Sequence, residues 1–322
     1  MRYASVIFFA IVISIFSGCI RSVPHDKFNL DNVPSFNSDS AFELIRRQVM
    51  FGPRVPNTPA HDSCAQFIMQ KLLSYGFDVD TMSFTIMRYD SVPMHCTNIF
   101  ASFNPSLHRR ILLFTHWDSR FIADKDKDSI LRNLPVPGAN DGGSGTAVLM
   151  EIARLIASQP PQVGVDLLFL DAEDQGPPDF VRLEDFEKYW ARGASYWVDH
   201  KPKGYKPMWA LGLDLVGAKN TRFAIEDNSL YFYGYLIKRI WDIADSLGYD
   251  TLFIQRRTRG LMNDHIILFQ KAHIRSVMIS ENIPGHIYGN YWHTHKDSLD
   301  IIDPKVLKAV GQTVVTLIYN VR

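Results

Sequence analysis

Two six-residue stretches, Arg110–Thr115 (RILLFT) and Val165–Leu170 (VDLLFL), constrain this chain more than anything else in it. Each is apolar almost throughout and does not alternate, as strands buried on both faces do not. Trp209–Val216 (WALGLDLV) repeats the pattern less cleanly, and Ser276–Ser280 (SVMIS) supplies a further run. Around them Gly145–Ala157, Leu230–Leu247 and Lys305–Tyr319 carry apolar residues at helical spacing. Strands alternating with helices predict an α/β chain: a three-layer sandwich with a mostly parallel central sheet and helices on both faces. Two helices are expected ahead of it. Ser38–Met50 shows an apolar stripe (Phe42, Leu44, Ile45, Val49) behind Ser/Asp capping candidates, and Thr58-Pro59 opens a second helix ending at Gly76. No repeat, charge block or linker interrupts residues 38–322, which read as a single domain.

Composition narrows the function classes. With 46% apolar and 21% charged residues the chain is a packed globular one rather than a disordered one. Its 34 Lys+Arg balance 34 Asp+Glu, so no basic field gathers phosphates and a nucleic-acid partner is not expected. Three cysteines cannot staple a chain of 322 residues, so a hydrophobic core must hold it. Cys64 and Cys96 read as small buried hydrophobes, and their pairing is left open by the sequence.

The first 20 residues, MRYASVIFFAIVISIFSGCI, place Arg2 before an apolar run from Tyr3 to Phe16. Fourteen residues at helical rise span about 21 Å, short of the ~30 Å hydrocarbon core, which favours a signal peptide over a membrane span. The small residues before Cys19 resemble a bacterial lipobox, with Phe16 where an aliphatic residue is usual. Residues 1–18 are therefore expected as a lipoprotein signal peptide, Cys19 as the lipidated residue, and 19–37, polar with two prolines, as a tether. The expectation is an exported protein held to the inner or outer membrane by its lipid and facing the periplasm. Ile20 after Cys19 lacks the Asp that commonly retains lipoproteins at the inner membrane.

Ligands of open parallel sheets bind at the carboxyl ends of the strands. After RILLFT comes His116-Trp117-Asp118, and after VDLLFL comes Asp171-Ala172-Glu173-Asp174. Asp214 lies within the third run, and Trp292-His293-Thr294-His295 follows the fourth. Between the first two runs GANDGGSG (Gly138–Gly145) makes a glycine-rich turn before a helix, and its Asp141 would repel phosphate. Buried in LGLDLVG, Asp214 needs a cation or a shared proton, since an unpaired carboxylate there costs several kcal/mol. Imidazoles and carboxylates converging on one sheet edge are the ligands of catalytic zinc. The loop 120–137, with DKDKD at its centre, reads as a solvated charged loop.

The motifs HWDS, GANDGGSGTAVLMEIARL, LLFLDAEDQG, GLDLVGA, NDH and YWHTHKDSLD follow in this order over about 180 residues, behind FGPRVPNTPAH. This pattern resembles the M28-type metallo-exopeptidases, and within that fold the glutaminyl cyclases of animals and the lipoprotein-type cyclases of Bacteroidetes. The resemblance implies one Zn2+ per chain on Asp141, Asp174 and His293, with Asp174 where the animal enzymes have Glu. It implies Glu173 as acid/base, Asp214 as second catalytic carboxylate and Asp264 in a hydrogen-bonding Asp-His motif, with Asn263 where an acid is frequent. His116 and Asp118 would orient the site, and Trp292, Tyr288 and Trp190 would line the substrate pocket.

The activity so implied is an acyl transfer: cyclisation of the N-terminal glutamine of peptides and exported proteins to pyroglutamate, with release of ammonia. Association beyond a monomer has no signal. An M28-type two-zinc aminopeptidase is the rival, because His116, Asp141, Asp174, Asp214 and His293 supply its five ligands. Ligand count does not separate the two; the HWDS and YWHTHKDSLD contexts and the tether favour the cyclase. A binding module without catalysis is disfavoured, since every catalytic position holds a competent residue.

Overall fold

A computed structural model describes residues 28–282 and 285–321; the expected signal peptide, Cys19 and the first part of the tether lie outside the described residues. The elements run α1 (Ser38–Phe51), α2 (Pro59–Ser74), β1 (Asp78–Met87), β2 (Pro93–Phe103), β3 (Arg110–His116), α3 (Gly143–Ser158), β4 (Gly164–Leu170) and α4 (Arg192–His200). They continue with β5 (Ala210–Asp214), β6 (Phe223–Glu226), α5 (Asp227–Ser246), β7 (Phe253–Thr258), α6 (Asp264–Ala272), β8 (Ser276–Ser280) and α7 (Pro304–Tyr319).

The main sheet has the order β1-β2-β4-β3-β5-β8. Its last four strands are parallel, as the unalternating runs require, while β2 is antiparallel to both β1 and β4. Successive residues of each run face opposite layers. Ile111, Leu113, Val165, Leu167 and Phe169 join the core under α1, α2, α3 and α7, whereas Leu112, Phe114, Leu168 and Leu170 pack with Trp197 of α4 and Leu268 of α6. That division is why apolar residues fill both phases of these strands. The β1–β2 hairpin was not marked by such a run, because β1 is an edge strand with Phe84 as its only buried residue.

Helix ends follow the local chemistry. Thr58 caps α2 through its side chain and Pro59 takes the first turn, as expected. Helix α1 is capped by Asn37, one residue ahead of the expected Ser/Asp candidates. Residues 28–37, expected as tether, lie against the domain instead. Phe36 is 2% exposed in the main core, and Asn29 exchanges hydrogen bonds with Asn320 at the end of α7. An apolar Phe28, Val33 and Phe36 explain the docking of a segment whose prolines suggested a spacer. Cys64 and Cys96 are free and buried, and burial pushes the Cys64 thiol up to about 12.

Register sets the site. His116 pairs with Leu170, Phe114 pairs with Gly212, and Asp214 pairs with Ser280, so His116 and Asp214 end neighbouring strands at one level. Among the described residues no helix is long and apolar enough to cross a membrane.

Candidate metal centre

The carboxyl edge of the parallel strands gathers two trios of ligand atoms that share Asp141: His116, Asp141 and Asp214, and Asp141, Asp174 and His293. All five residues are buried. Asp141 arrives on the glycine turn ahead of α3. Gly142 there has φ +74°, and a Cβ on it would meet the Asp118 carbonyl at 2.3 Å, so the turn admits only glycine. Asp297 fixes the same turn by accepting from the amides of Asn140 (2.7 Å) and Asp141 (3.0 Å). Arg54, from the FGPR motif and fully buried, donates to the carbonyls of Trp117, Pro137 and Gly138.

Three non-glycine residues at the site adopt left-handed backbone: Ala172 (φ 53°), Leu215 (φ 52°) and His293 itself (φ 56°). Each costs on the order of 1 kcal/mol or more and persists because the surrounding contacts fix it. The loop after β4 is held by Asp118, whose carboxylate accepts from the amides of Glu173 and Asp174 (both 3.2 Å) and from the Gln175 side chain (2.8 Å). Asp118 thus acts on the glutamate loop as well as on His116, whose Nδ1 lies 3.4 Å away. A buried His61–Asp171 pair (2.7 Å), stacked on Trp117, supports the loop from below.

The trios differ in detail. His116 Nε2 lies 3.1 Å from Asp141 and 3.3 Å from Asp214, and the other oxygen of Asp214 accepts from Asn263 Nδ2 at 2.8 Å. In the second trio His293 Nε2 lies 3.1 Å from Asp174 Oδ1 and 3.9 Å from Asp141 Oδ2, while Asp174 Oδ2 is buried with no hydrogen-bond partner. An orphaned carboxylate oxygen beside an imidazole and a second carboxylate is a donor set that fits zinc. Behind His293, Nδ1 faces Asp124 at 3.4 Å, and Asp124 is bound by Arg120 through two hydrogen bonds (2.8 and 3.0 Å). A carboxylate behind a ligating imidazole is the usual support of a zinc site. Arg120 and Asp124 belong to the loop expected to be solvated, yet they are 1% and 8% exposed. Nothing in the residue types tells this buried pair from the exposed charges beside it.

The electrostatics of the site suit a bound cation. Burial, and then Asp174, pushes Asp141 up to about 6; burial takes Asp264 up to about 7. Glu173 is raised well above the ordinary carboxylate value by burial, then by Asp264, Asp174 and Asp214, with His116 opposing. His116, which burial alone would lower, is raised well above the ordinary imidazole value by Asp118, Asp141 and Asp214. Asp264 is the first carboxylate raising Glu173, and its Oδ1 has no partner.

The three aromatic residues expected in a pocket do meet. Trp190, Tyr288 and Trp292 line a cavity of about 350 Å³ together with Phe186, Leu261 and Met262. Trp292 stacks on His293 with ring centres 3.6 Å apart, and Trp190 lies parallel to the same imidazole at 6.3 Å. The cavity therefore opens against a ligand of the second trio.

Comparison with known proteins places this geometry. Residues 98–318 match the model of peptidase family M28. The chain is 40% identical to a glutaminyl cyclase of Bacteroides thetaiotaomicron solved with N-acetylhistamine, with 90% of this chain and 100% of that one covered at a TM-score of 0.88. It is 39% identical to a structure from the same species described as a leucine aminopeptidase precursor, with 92% and 100% covered at a TM-score of 0.87. The glutaminyl-peptide cyclotransferase of Drosophila melanogaster is 26% identical over 279 residues, which is 78% of this chain and 72% of the fly protein.

Proposed function

The chain belongs to peptidase family M28, and from that premise we propose that it is a glutaminyl-peptide cyclotransferase. The observation that carries the reading is the inequality of the two trios. His116 is already paired with both Asp141 and Asp214, and Asn263 donates to the other oxygen of Asp214, whereas Asp174 keeps a buried oxygen unpaired near the aromatic cavity that His293 adjoins. One zinc per chain on Asp141, Asp174 and His293 satisfies that oxygen. Bound there, zinc supplies Lewis acidity toward a carbonyl oxygen at the mouth of the cavity.

The remaining chemistry belongs to the protein. An N-terminal glutamine enters the cavity between Trp190, Tyr288 and Trp292, which exclude water and hold its side chain against its own α-amine. The amine nitrogen attacks the side-chain amide carbon; a C–N bond forms, the bond to the amide nitrogen breaks, and ammonia leaves. Glu173, whose pKa burial raises well above the ordinary carboxylate value, takes the proton from the attacking nitrogen and returns it to the departing one. Asp214, oriented by His116 and Asn263, holds the ammonium or amide nitrogen, and Asp264 sets the charge around Glu173. Because both reacting groups are on one residue, orientation alone removes a large part of the barrier.

A Gln-initiated peptide and a Leu-initiated one, offered to the purified protein, test this. Ammonia from the first with no cleavage of the second is the expected result. Cleavage of the Leu peptide by a protein carrying two zincs per chain establishes the aminopeptidase, for which the trio of His116, Asp141 and Asp214 is the supporting observation.

The same reading extends to the cell: export, lipidation at Cys19, membrane attachment facing the periplasm, and Gln-initiated peptides and exported proteins as substrates of a monomeric enzyme. Its support is the N-terminal sequence MRYASVIFFAIVISIFSGCI together with a catalytic chemistry suited to processed N-termini.

A further inference from the structure

The edge of the sheet opposite the metal centre has a different character. Four segments lead into the parallel strands there: NPSLHR before β3, QPPQV before β4, KPKGYKPMW before β5, and HIR before β8. None contains Asp or Glu. They carry Arg109, Lys201, Lys203, Lys206 and Arg275, and none of these five pairs with a carboxylate among the described residues. Arg109, Lys203, Lys206 and Arg275 are exposed. The acids adjoining this edge in the chain are Asp31, Asp78, Asp199 and, on α5 past Arg239, Asp242 and Asp245, while Asp166 is buried under Arg110. In a chain with no net charge, these four neighbouring segments thus carry five cations and no acid.

Aromatic residues join the cations. Helix α5 loses helical geometry at Tyr233 (φ −158°, ψ 69°), and Tyr235 beyond it is 65% exposed. Tyr233 and Tyr235 line a cavity of about 370 Å³ with Met208, Trp209 and Arg275, and the Arg275 guanidinium lies 5.3 Å from the Tyr233 ring. Exposed tyrosine beside Lys and Arg is the composition of surfaces that sit at the headgroup level of a bilayer.

The chain joins the domain at this edge. Phe28 lies 5.1 Å from the Arg239 guanidinium, and Asn29 bonds Asn320. Cys19 precedes Phe28 by nine residues, which span at most roughly 30 Å. The seven residues of β3 place the metal centre roughly 23 Å beyond the basic edge.

We propose that this edge docks on anionic phospholipid headgroups, so that the cavity beside His293 opens away from the membrane. The proposal rests on lipidation of Cys19 only for bringing the chain to the bilayer. The test uses the full-length chain, its Cys19 blocked by the lipid, with Tyr235→Cys carrying a polarity-sensitive fluorophore, since Cys64 and Cys96 are buried. Phe180→Cys, 61% exposed in the loop beyond β4, is the control at the opposite edge. Vesicles contain phosphatidylcholine alone or with phosphatidylglycerol.

A blue shift at position 235 only with phosphatidylglycerol, reversed by salt and absent at position 180, is expected. Lys201→Glu with Lys203→Glu and Lys206→Glu should weaken docking more than about a hundredfold and remove the shift, with Gln turnover unchanged. No shift at 235, an equal shift at 180, or an equal response to soluble polyphosphate overturns the proposal. Flotation of the wild-type chain reports the anchor separately. If it fails, labelled chain bearing Cys19→Ser is added to the same vesicles, and binding or its absence decides the surface alone.

Discussion

The two trios that meet at Asp141 use the same ligand chemistry and sit a few ångströms apart, yet one is closed and one is open. In the first, His116 Nε2 is within 3.3 Å of two carboxylates and Asn263 takes the last free oxygen of Asp214. In the second, Asp174 meets His293 through Oδ1 and leaves Oδ2 orphaned, and that histidine is braced by Asp124 and flanked by Trp190 and Trp292. Ligand type therefore does not specify a metal site; the hydrogen bonds around the ligands do.

The sharpest way to break this contrast is to remove a ligand from each side. Four-ligand zinc sites hold their ion by roughly 10–16 kcal/mol, so one ligand is worth roughly a hundred- to thousandfold in affinity. His293→Ala or Asp174→Ala should lose the zinc on dialysis, measured by metal analysis, and turnover with it. His116→Ala should keep about one zinc per chain; parallel loss in both variants would make the trios equivalent. Next in size, Glu173→Gln should lower kcat by roughly 10²–10⁴-fold with the zinc retained. Retained turnover would remove Glu173 from the proton path.

A smaller effect separates the braces. Asp124→Asn should weaken zinc binding by roughly 10–100-fold in a chelator competition, because Asp124 supports His293. Asp118→Asn, behind His116, should leave zinc affinity in place and act on turnover through the glutamate loop. Smallest of all, Thr58→Ala removes the α2 cap far from both trios and should cost about 1 kcal/mol in denaturant unfolding, with zinc content and turnover unchanged.

Much of the fold was legible because burial on both faces leaves a mark that composition cannot disguise: β3, β4 and β8 begin and end within a residue or two of their apolar runs. The β1–β2 hairpin left no such mark, since an edge strand with one buried residue reads like a polar segment. The candidate ligands stand out by their places after strands and by family resemblance, and the fold brings them within reach of one another. Their supports were not. Arg120 and Asp124 are written in the same letters as the exposed Lys125 and Asp128. Arg54 acts on carbonyls, and carbonyls have no signature in sequence. Asn263, a departure from the pattern when read by itself, becomes intelligible once its amide is seen on Asp214.

The grip of Asp297 on Asn140 and Asp141 spans 156 residues of chain. A nascent polypeptide that has emerged as far as Asp141, Glu173 or even His293 still lacks the group that holds the shared ligand in place. The brace of the shared ligand is thus made later than all three residues proposed to hold the zinc, Asp141, Asp174 and His293.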